Sequence, residues 1–213
     1  MKYTPGGFDR DGSKSMNRIA RTVFAPVYPV IAEQIVERCG ISCGRCLDLG
    51  SGPGSLGIAL ARASDLTVTL LDSSPDMLDI AEENIREAGL SGRIALLPGD
   101  VHAIPLPAGS VDLAVSRGSI FFWEDLPQAF SEIHRVLAPG GKTYIGGGFG
   151  TAELRDAVLV AMTKENPDWK DFRDKNLGPE NQKRVVGILA DLGLPHRVIS
   201  DDSGFWVMME KER

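Results

Sequence analysis

The segment Leu47-Asp48-Leu49-Gly50-Ser51-Gly52-Pro53-Gly54 constrains this chain most, because it stands directly after a short apolar stretch, Cys46–Leu49, and directly before an amphipathic run, Ser55–Ala63. Three alternating glycines cost conformational entropy that a plain turn does not require, and they let backbone approach a ligand where a Cβ would clash. The helix start that follows adds unpaired N–H donors. A strand, a glycine loop and a helix in that order predict a ligand-binding crossover. The rhythm then repeats. Thr67–Leu71 reads as a β-branched strand, and Pro75–Ala88 as a helix with Ser74 as N-cap and Gly89 as stop. Ile94–Leu97 and Val111–Ser116 read as buried strands, Leu126–Leu137 as a helix ended by Pro139-Gly140-Gly141, and Lys142–Gly146 as a strand. Strands alternating with helices predict a parallel sheet covered on both faces.

The end of the chain breaks this rhythm. After helices at Thr151–Thr163 and Pro179–Leu192, strands at His196–Ser200 and Phe205–Glu210 are separated by Asp201-Asp202-Ser203-Gly204 alone. So short a loop makes a hairpin, which must be antiparallel. The expected fold is α/β and doubly wound (Rossmann-like): a mostly parallel seven-stranded sheet with a C-terminal antiparallel hairpin and helices on both faces. Ahead of it, residues 1–12 are polar and Gly-rich, as in an arm or lid. Met16, Ile19, Ala20, Val23, Phe24 and Val27 recur at helical spacing, Pro26 and Pro29 bend the chain, and a second helix runs from Pro29 to Glu37 with Gly40 as its stop. Residues 1–40 are therefore expected to form an arm and cap helices, and 41–213 the binding domain.

Charge narrows the ligand. With 23 Lys and Arg against 29 Asp and Glu among 213 residues, the net charge is −6, and no basic tail is present. That balance argues against a nucleic-acid partner, whose phosphates need cationic side chains. No apolar run is long enough to span a bilayer, the first residues lack an apolar leader, and three cysteines make no complete disulfide set; these features point to the cytoplasm without membrane insertion.

Gly52-Pro53-Gly54-Ser55-Leu56-Gly57 matches the G-x-G-x-x-G of dinucleotide sites. Counted from Asp48, however, the loop is also D-x-G-x-G-x-G. An acid two positions before the first glycine suits a ligand with a cationic ammonium and repels a pyrophosphate. Asp72, at the end of the second strand, suits both hydroxyls of an adenosine ribose. Asp100 and Val101, after the third, suit an adenine amino group and ring.

With these residues in place, the chain from Arg38 to Lys211 resembles the class I S-adenosylmethionine-dependent methyltransferases. The family's glycine motif matches Asp48–Gly54, its ribose acid Asp72, its adenine contacts Asp100 and Val101, and its Pro-Gly-Gly before the fifth strand Pro139–Gly141. Within the family the chain is most similar to the small-molecule branch of ubiquinone and menaquinone C-methyltransferases. The resemblance implies S-adenosylmethionine as cofactor, a small-molecule methyl acceptor and SN2 displacement at a sulfonium methyl, where aligning the two reactants is the main task. Asp48, Gly50, Ser51, Gly52, Pro53, Gly54, Asp72, Ser73, Met77, Asp100, Val101, His102, Ser116 and Arg117 are the expected cofactor contacts.

No catalytic group is identified, but Arg117, His102 and Tyr28 are candidates. Arg117 would hold an anionic substrate group or the methionine carboxylate, or else pair with Asp72, Asp100 or Glu124. His102 would act as a base or touch the adenine edge. Phe121, Phe122 and Trp123 would wall the pocket or join the core, and Arg18 and Arg21 would reach the acceptor or lie on a solvated face. Two other functions compete, an NAD-dependent oxidoreductase and a non-catalytic S-adenosylmethionine-binding protein. Cys39, Cys43 and Cys46 share the C-x3-C-x2-C spacing of radical S-adenosylmethionine enzymes, yet Cys46 begins a strand and Arg45 stands where that family has an aromatic, so no metal is expected.

Overall fold

Alternation along the strands decides which side chains face which layer. Cys46, Val68, Leu70, Leu113 and Val115 point to one face of a sheet and join one buried cluster, while Leu47, Leu49, Leu71 and Ala114 point to the other and join a second. The computed structural model describes residues 10–213. Seven strands form the sheet: β1 Cys43–Leu49, β2 Asp65–Asp72, β3 Ile94–Pro98, β4 Val111–Arg117, β5 Leu137–Gly148, β6 His196–Asp201 and β7 Gly204–Met209. Their spatial order is β3-β2-β1-β4-β5-β7-β6. Pairing is parallel from β3 through β5, and β7 runs antiparallel to both β5 and β6. The expected doubly wound sheet with a terminal hairpin is what forms.

Eight α-helices connect or cover these strands among the described residues: α1 Arg10–Thr22, α2 Val27–Cys39, α3 Ser55–Ala63, α4 Pro75–Glu87, α5 Leu126–Val136, α6 Ala152–Glu165, α7 Trp169–Leu177 and α8 Pro179–Asp191. The apolar stripes of α2, α3, α4 and α6 fill one face, and those of α5 and α8 the other. Ser74 caps α4 by accepting from Met77 N–H at 3.3 Å, as its position implies, and Gly40 ends α2 at φ +66°.

Several boundaries depart from expectation. Residues 1–9 of the expected arm lie outside the described residues, and 10–12 are already helical. The second cap helix starts at Val27, ahead of Pro29, because a proline in the first turn removes only an orphan N–H. Strand β1 starts three residues earlier than expected, at Cys43. Strand β5 starts at Leu137 and carries Pro139-Gly140-Gly141 within it; Gly140 at φ +80° and a register shift between Val111 and Leu113 mark a bulge where a stop is expected. Helix α7 is absent from the expectation. Its segment WKDFRDKNL has no continuous apolar stripe, and it is held by Trp169 against Phe24 and Phe149, with ring centroids 6.3 and 6.2 Å away.

Helices α1 and α2 meet at a 75° bend. Helix α2 is anchored by Val27, Ile31, Ala32 and Ile35, none of which is exposed at all. Helix α1 lies further out, buries Ile19 and Ala20, and is otherwise held by polar contacts. Arg18 pairs with Glu165 at 2.6 Å, Arg21 with Glu87 at 2.8 Å, and Asn84 Nδ2 donates to Asn17 Oδ1 at 3.0 Å. No single helix among the described residues is long and apolar enough to cross a membrane.

Candidate functional site

From β1 the chain winds outward through β2 and β3, then returns to place β4 on the opposite side of β1. At such a reversal the loops after adjacent strands diverge and leave a crevice beyond their C-terminal ends. A cavity of about 510 Å³ opens there. The loop after β1 forms one wall, with Gly50, Gly52 and Gly54 at φ +61°, +53° and +80°. At Gly50 a Cβ would run into Ser119, so the close approach of the loops after β1 and β4 itself demands glycine.

Asp48 and Asp72 stand behind this loop. Asp48 is buried, and its Oδ2 accepts the Gly57 N–H of α3 at 3.0 Å. Burial pushes its carboxyl up to about 8, with the Gly57 N–H pulling back and Asp72 adding to the rise. Asp72 is gripped at both oxygens. Oδ2 accepts Gly52 N–H at 2.7 Å and Oδ1 accepts Ser74 N–H at 2.9 Å, while burial outweighs these bonds and raises its pKa. Each oxygen keeps a lone pair for a hydroxyl donor. Ser51 Oγ, in the same loop, is buried with no hydrogen-bond partner among the described residues. An orphaned buried hydroxyl on a cavity wall calls for a ligand partner. Fixed carboxylate, spare hydroxyl and glycine wall together fit an adenosine ligand with a cationic tail.

On the far side, Val101 is buried and Asp100 closes a small turn. Its Oδ1 accepts His102 N–H at 2.8 Å and faces His102 Nδ1 at 2.5 Å. Asp125 N–H donates to His102 Nε2 at 3.2 Å. Both ring nitrogens are engaged, so the ring ties the turn to the start of α5. The base role considered for His102 is not supported by this geometry.

Of the two roles weighed for Arg117, the pairing is not what forms: it pairs with none of Asp72, Asp100 and Glu124, because its side chain turns toward Phe24, Tyr28 and Phe149. The guanidinium carbon lies 4.4 Å from the Phe24 ring centroid and 5.6 Å from those of Tyr28 and Phe149. Its Nε and Nη2 donate to Gly148 O at 3.2 and 3.1 Å. Burial lowers its pKa, partly offset by Tyr28. Tyr28 sits between Arg117, Ser55 and Asp48; burial raises its pKa and the Arg117 charge pulls it back.

Of the expected contacts, Asp48, Gly50, Ser51, Pro53, Asp72, Ser73, Met77, Asp100, Val101, His102 and Arg117 line the cavity, and so does Tyr28. Gly52, Gly54 and Ser116 do not. Gly52 spends its N–H on Asp72, Gly54 caps α3, and the fully buried Ser116 bonds Ser119 Oγ at 2.6 Å. Phe122 and Trp123 reach the cavity, whereas Phe121 packs into the core behind β5. Arg18 and Arg21 stay outside in the surface pairs described above. Met16, Ser119 and Glu124 are additional lining residues that no motif signals. Ser119 also donates to Leu49 O at 2.8 Å, joining the tips of β1 and β4. Cys43 and Cys46 fall on opposite faces of β1, being three apart on a strand, with Cys43 exposed and Cys39 and Cys46 buried. That geometry cannot gather three thiolates.

Residues 47–145 match the family model of a methyltransferase domain. A solved structure from Methanococcus maripaludis, described as a candidate S-adenosyl-L-methionine-dependent methyltransferase, superposes with a TM-score of 0.95 at 50% identity, covering 100% of this chain and 98% of that one. A chloroplastic 2-methyl-6-phytyl-1,4-hydroquinone methyltransferase of Oryza sativa subsp. japonica is 41% identical over 150 residues, 64% of this chain and 42% of the relative. A ubiquinone/menaquinone biosynthesis C-methyltransferase of Geobacter sp. is 31% identical over 113 residues, 52% of this chain and 48% of that protein. The chain thus spans about half the length of the curated relatives it matches.

Proposed function

The chain belongs to the class I S-adenosylmethionine-dependent methyltransferases, and from that membership we propose that it transfers a methyl group from S-adenosylmethionine to a small-molecule acceptor. The observation that carries the reading is the placement of Asp72. Its two oxygens are pinned by Gly52 and Ser74 at the cavity wall, each keeping a lone pair for a ribose hydroxyl. Val101 and Asp100 lie along the same cavity for the adenine, and Asp48 for the ammonium. Bound there, the cofactor supplies a methyl activated by its positive sulfur. The chain's own part is to hold both reactants in line and exclude water. Helices α1 and α2 serve as the cap, Met16 and Tyr28 closing the cavity from above.

A small organic acceptor is supported by the two curated relatives, which are named for a hydroquinone and a quinone pathway. We place the protein in the cytoplasm on its three free cysteines. Neither an NAD-dependent oxidoreductase nor a non-catalytic binder finds support among the relatives. Calorimetric titration with S-adenosylhomocysteine and, separately, NADH tests the reading: binding of the first alone is expected, and binding of NADH alone would overturn it. Turnover with labelled methyl donor and a metabolite extract separates an enzyme from a binder.

A further inference from the structure

We propose that the free sheet edge at β6 is an interaction surface for a second copy of this chain, the two β6 strands pairing antiparallel about a twofold axis through Ile199. The proposal is independent of what the cavity binds. An open sheet has two edges, each with a row of unpaired N–H and C=O groups that can template another strand. Here they are β3 and β6. Strand β3 has five residues and ends in Pro98, which has no N–H to donate. Strand β6 has six, without proline or lysine, and its pairing with β7 runs from His196 to Asp201 without a bulge. The formal charges it carries, Arg197 and Asp201, are of opposite sign.

Apolar surface is exposed at the same end of the sheet. Val198, in the middle of β6, is 37% exposed and Val160 on α6 is 61% exposed; these are the two large hydrophobic side chains that stand exposed among the described residues. Helix α6 is tied to this end, because Arg155 Nη1 donates to Asp202 Oδ1 in the β6–β7 turn at 3.0 Å.

Charge chooses the register. A twofold axis normal to the sheet keeps each face on its own side, so an odd-numbered residue can oppose only an odd-numbered one. Two registers then pair all but one residue of β6. Centred on Val198, Arg197 opposes Ile199 and its charge gains no partner. Centred on Ile199, Arg197 of each copy opposes Asp201 of the other, and Val198 opposes Ser200. Unlike charges directly opposed across an antiparallel pair stabilise it. Arg197 is available for this, since its Nη2 donates to Met208 Sδ at 3.1 Å and it forms no ion pair among the described residues. Asp201 is half-exposed; Ser203 holds its Oδ1, and Arg38 reaches Oδ2 only at 3.4 Å, which leaves Oδ2 room for a second donor. So short an edge buries little area, and the dimer is therefore weak and concentration-dependent.

Sedimentation of the full chain from about 1 to about 500 µM should show a passage from monomer to dimer. Arg197→Glu sets like charges opposite each other twice and is expected to raise the dissociation constant about tenfold, with the monomer melting as wild type does. Asp201→Lys should be equally impaired alone, and an equal mixture of the two variants should dimerise again, because the mixed pair carries unlike charges at both positions. Cross-linking reads the register without relying on Asp201. In a Cys43→Ser background, Ile199→Cys should form a disulfide-linked dimer on mild oxidation, since residues facing each other on the axis have Cα atoms roughly 4.5–5.5 Å apart. Val198→Cys, off the axis, should not. A chain that stays monomeric at the highest concentration, a dimer indifferent to Arg197→Glu, or cross-linking through position 198 rather than 199 overturns the proposal.

Discussion

At the scale of single residues, the site concentrates buried charge, and stability should report it. Asp48 holds its proton up to about pH 8 in the fold, whereas an exposed aspartate releases it near pH 4. The folded state therefore binds the extra proton, and stability from this group is full below about pH 4 and is lost as pH rises through about 8. The midpoint of thermal unfolding of the ligand-free protein should decline as pH rises from about 4 to about 8, and Asp48→Asn should flatten that decline; an equal slope in the variant would remove Asp48 as its cause. Asp72→Ala deletes the ribose acceptor and frees the Gly52 and Ser74 N–H groups. A loss of affinity for S-adenosylhomocysteine of roughly 10–100-fold is expected by calorimetry, from one or two charge-assisted bonds. Gly57→Ala would press a Cβ into Leu70 and crowd Val68, costing about 1–3 kcal/mol in denaturant unfolding. Asp48, Asp72 and the glycines were legible because one local motif carries them. The environment of Arg117 was not, since Phe24, Gly148 and Phe149 come from distant segments and only tertiary packing joins them.

Among the elements, α1 and α2 are adjacent in sequence and opposite in kind. Helix α2 is fixed by fully buried aliphatic side chains, while α1 buries Ile19 and Ala20 and is otherwise tied down by exposed ion pairs that each contribute at most about 1 kcal/mol. Amide hydrogen exchange should therefore release α1 well before α2. Asn84 links this outer helix to the glycine loop: its Nδ2 donates to Asn17 Oδ1 and to Pro53 O at 2.8 Å, and its Oδ1 accepts from Arg21 at 3.1 Å. Asn84→Ala should accelerate exchange in α1 selectively, and unchanged rates there would show that the ion pairs suffice. Helix α3 emerges with both expected ends, Ser55 and Ala63, because glycine and apolar spacing are local signals. Strand β5 and helix α7 did not, because a bulge over Val111 and an aromatic contact from Trp169 are invisible to local pattern.

For the whole molecule, the two buried clusters share one sheet, so the domain should unfold as a unit and a ligand at the β1/β4 opening should protect all of it. S-adenosylhomocysteine at 100 times its dissociation constant adds about 2.7 kcal/mol, which for a chain of this size raises the thermal midpoint by roughly 5–10 °C. A smaller shift at saturation would point to binding by the unfolded chain as well. The three tryptophans divide the molecule into separately visible regions. Trp123 is on the cavity wall, Trp169 packs on the rings that surround Arg117, and Trp206 lies tilted against Tyr144, ring centroids 4.6 Å apart, in the sheet's interior. Proteins that keep one of them at a time would give three fluorescence signals, for occupancy, for cap movement and for global unfolding, without any added dye.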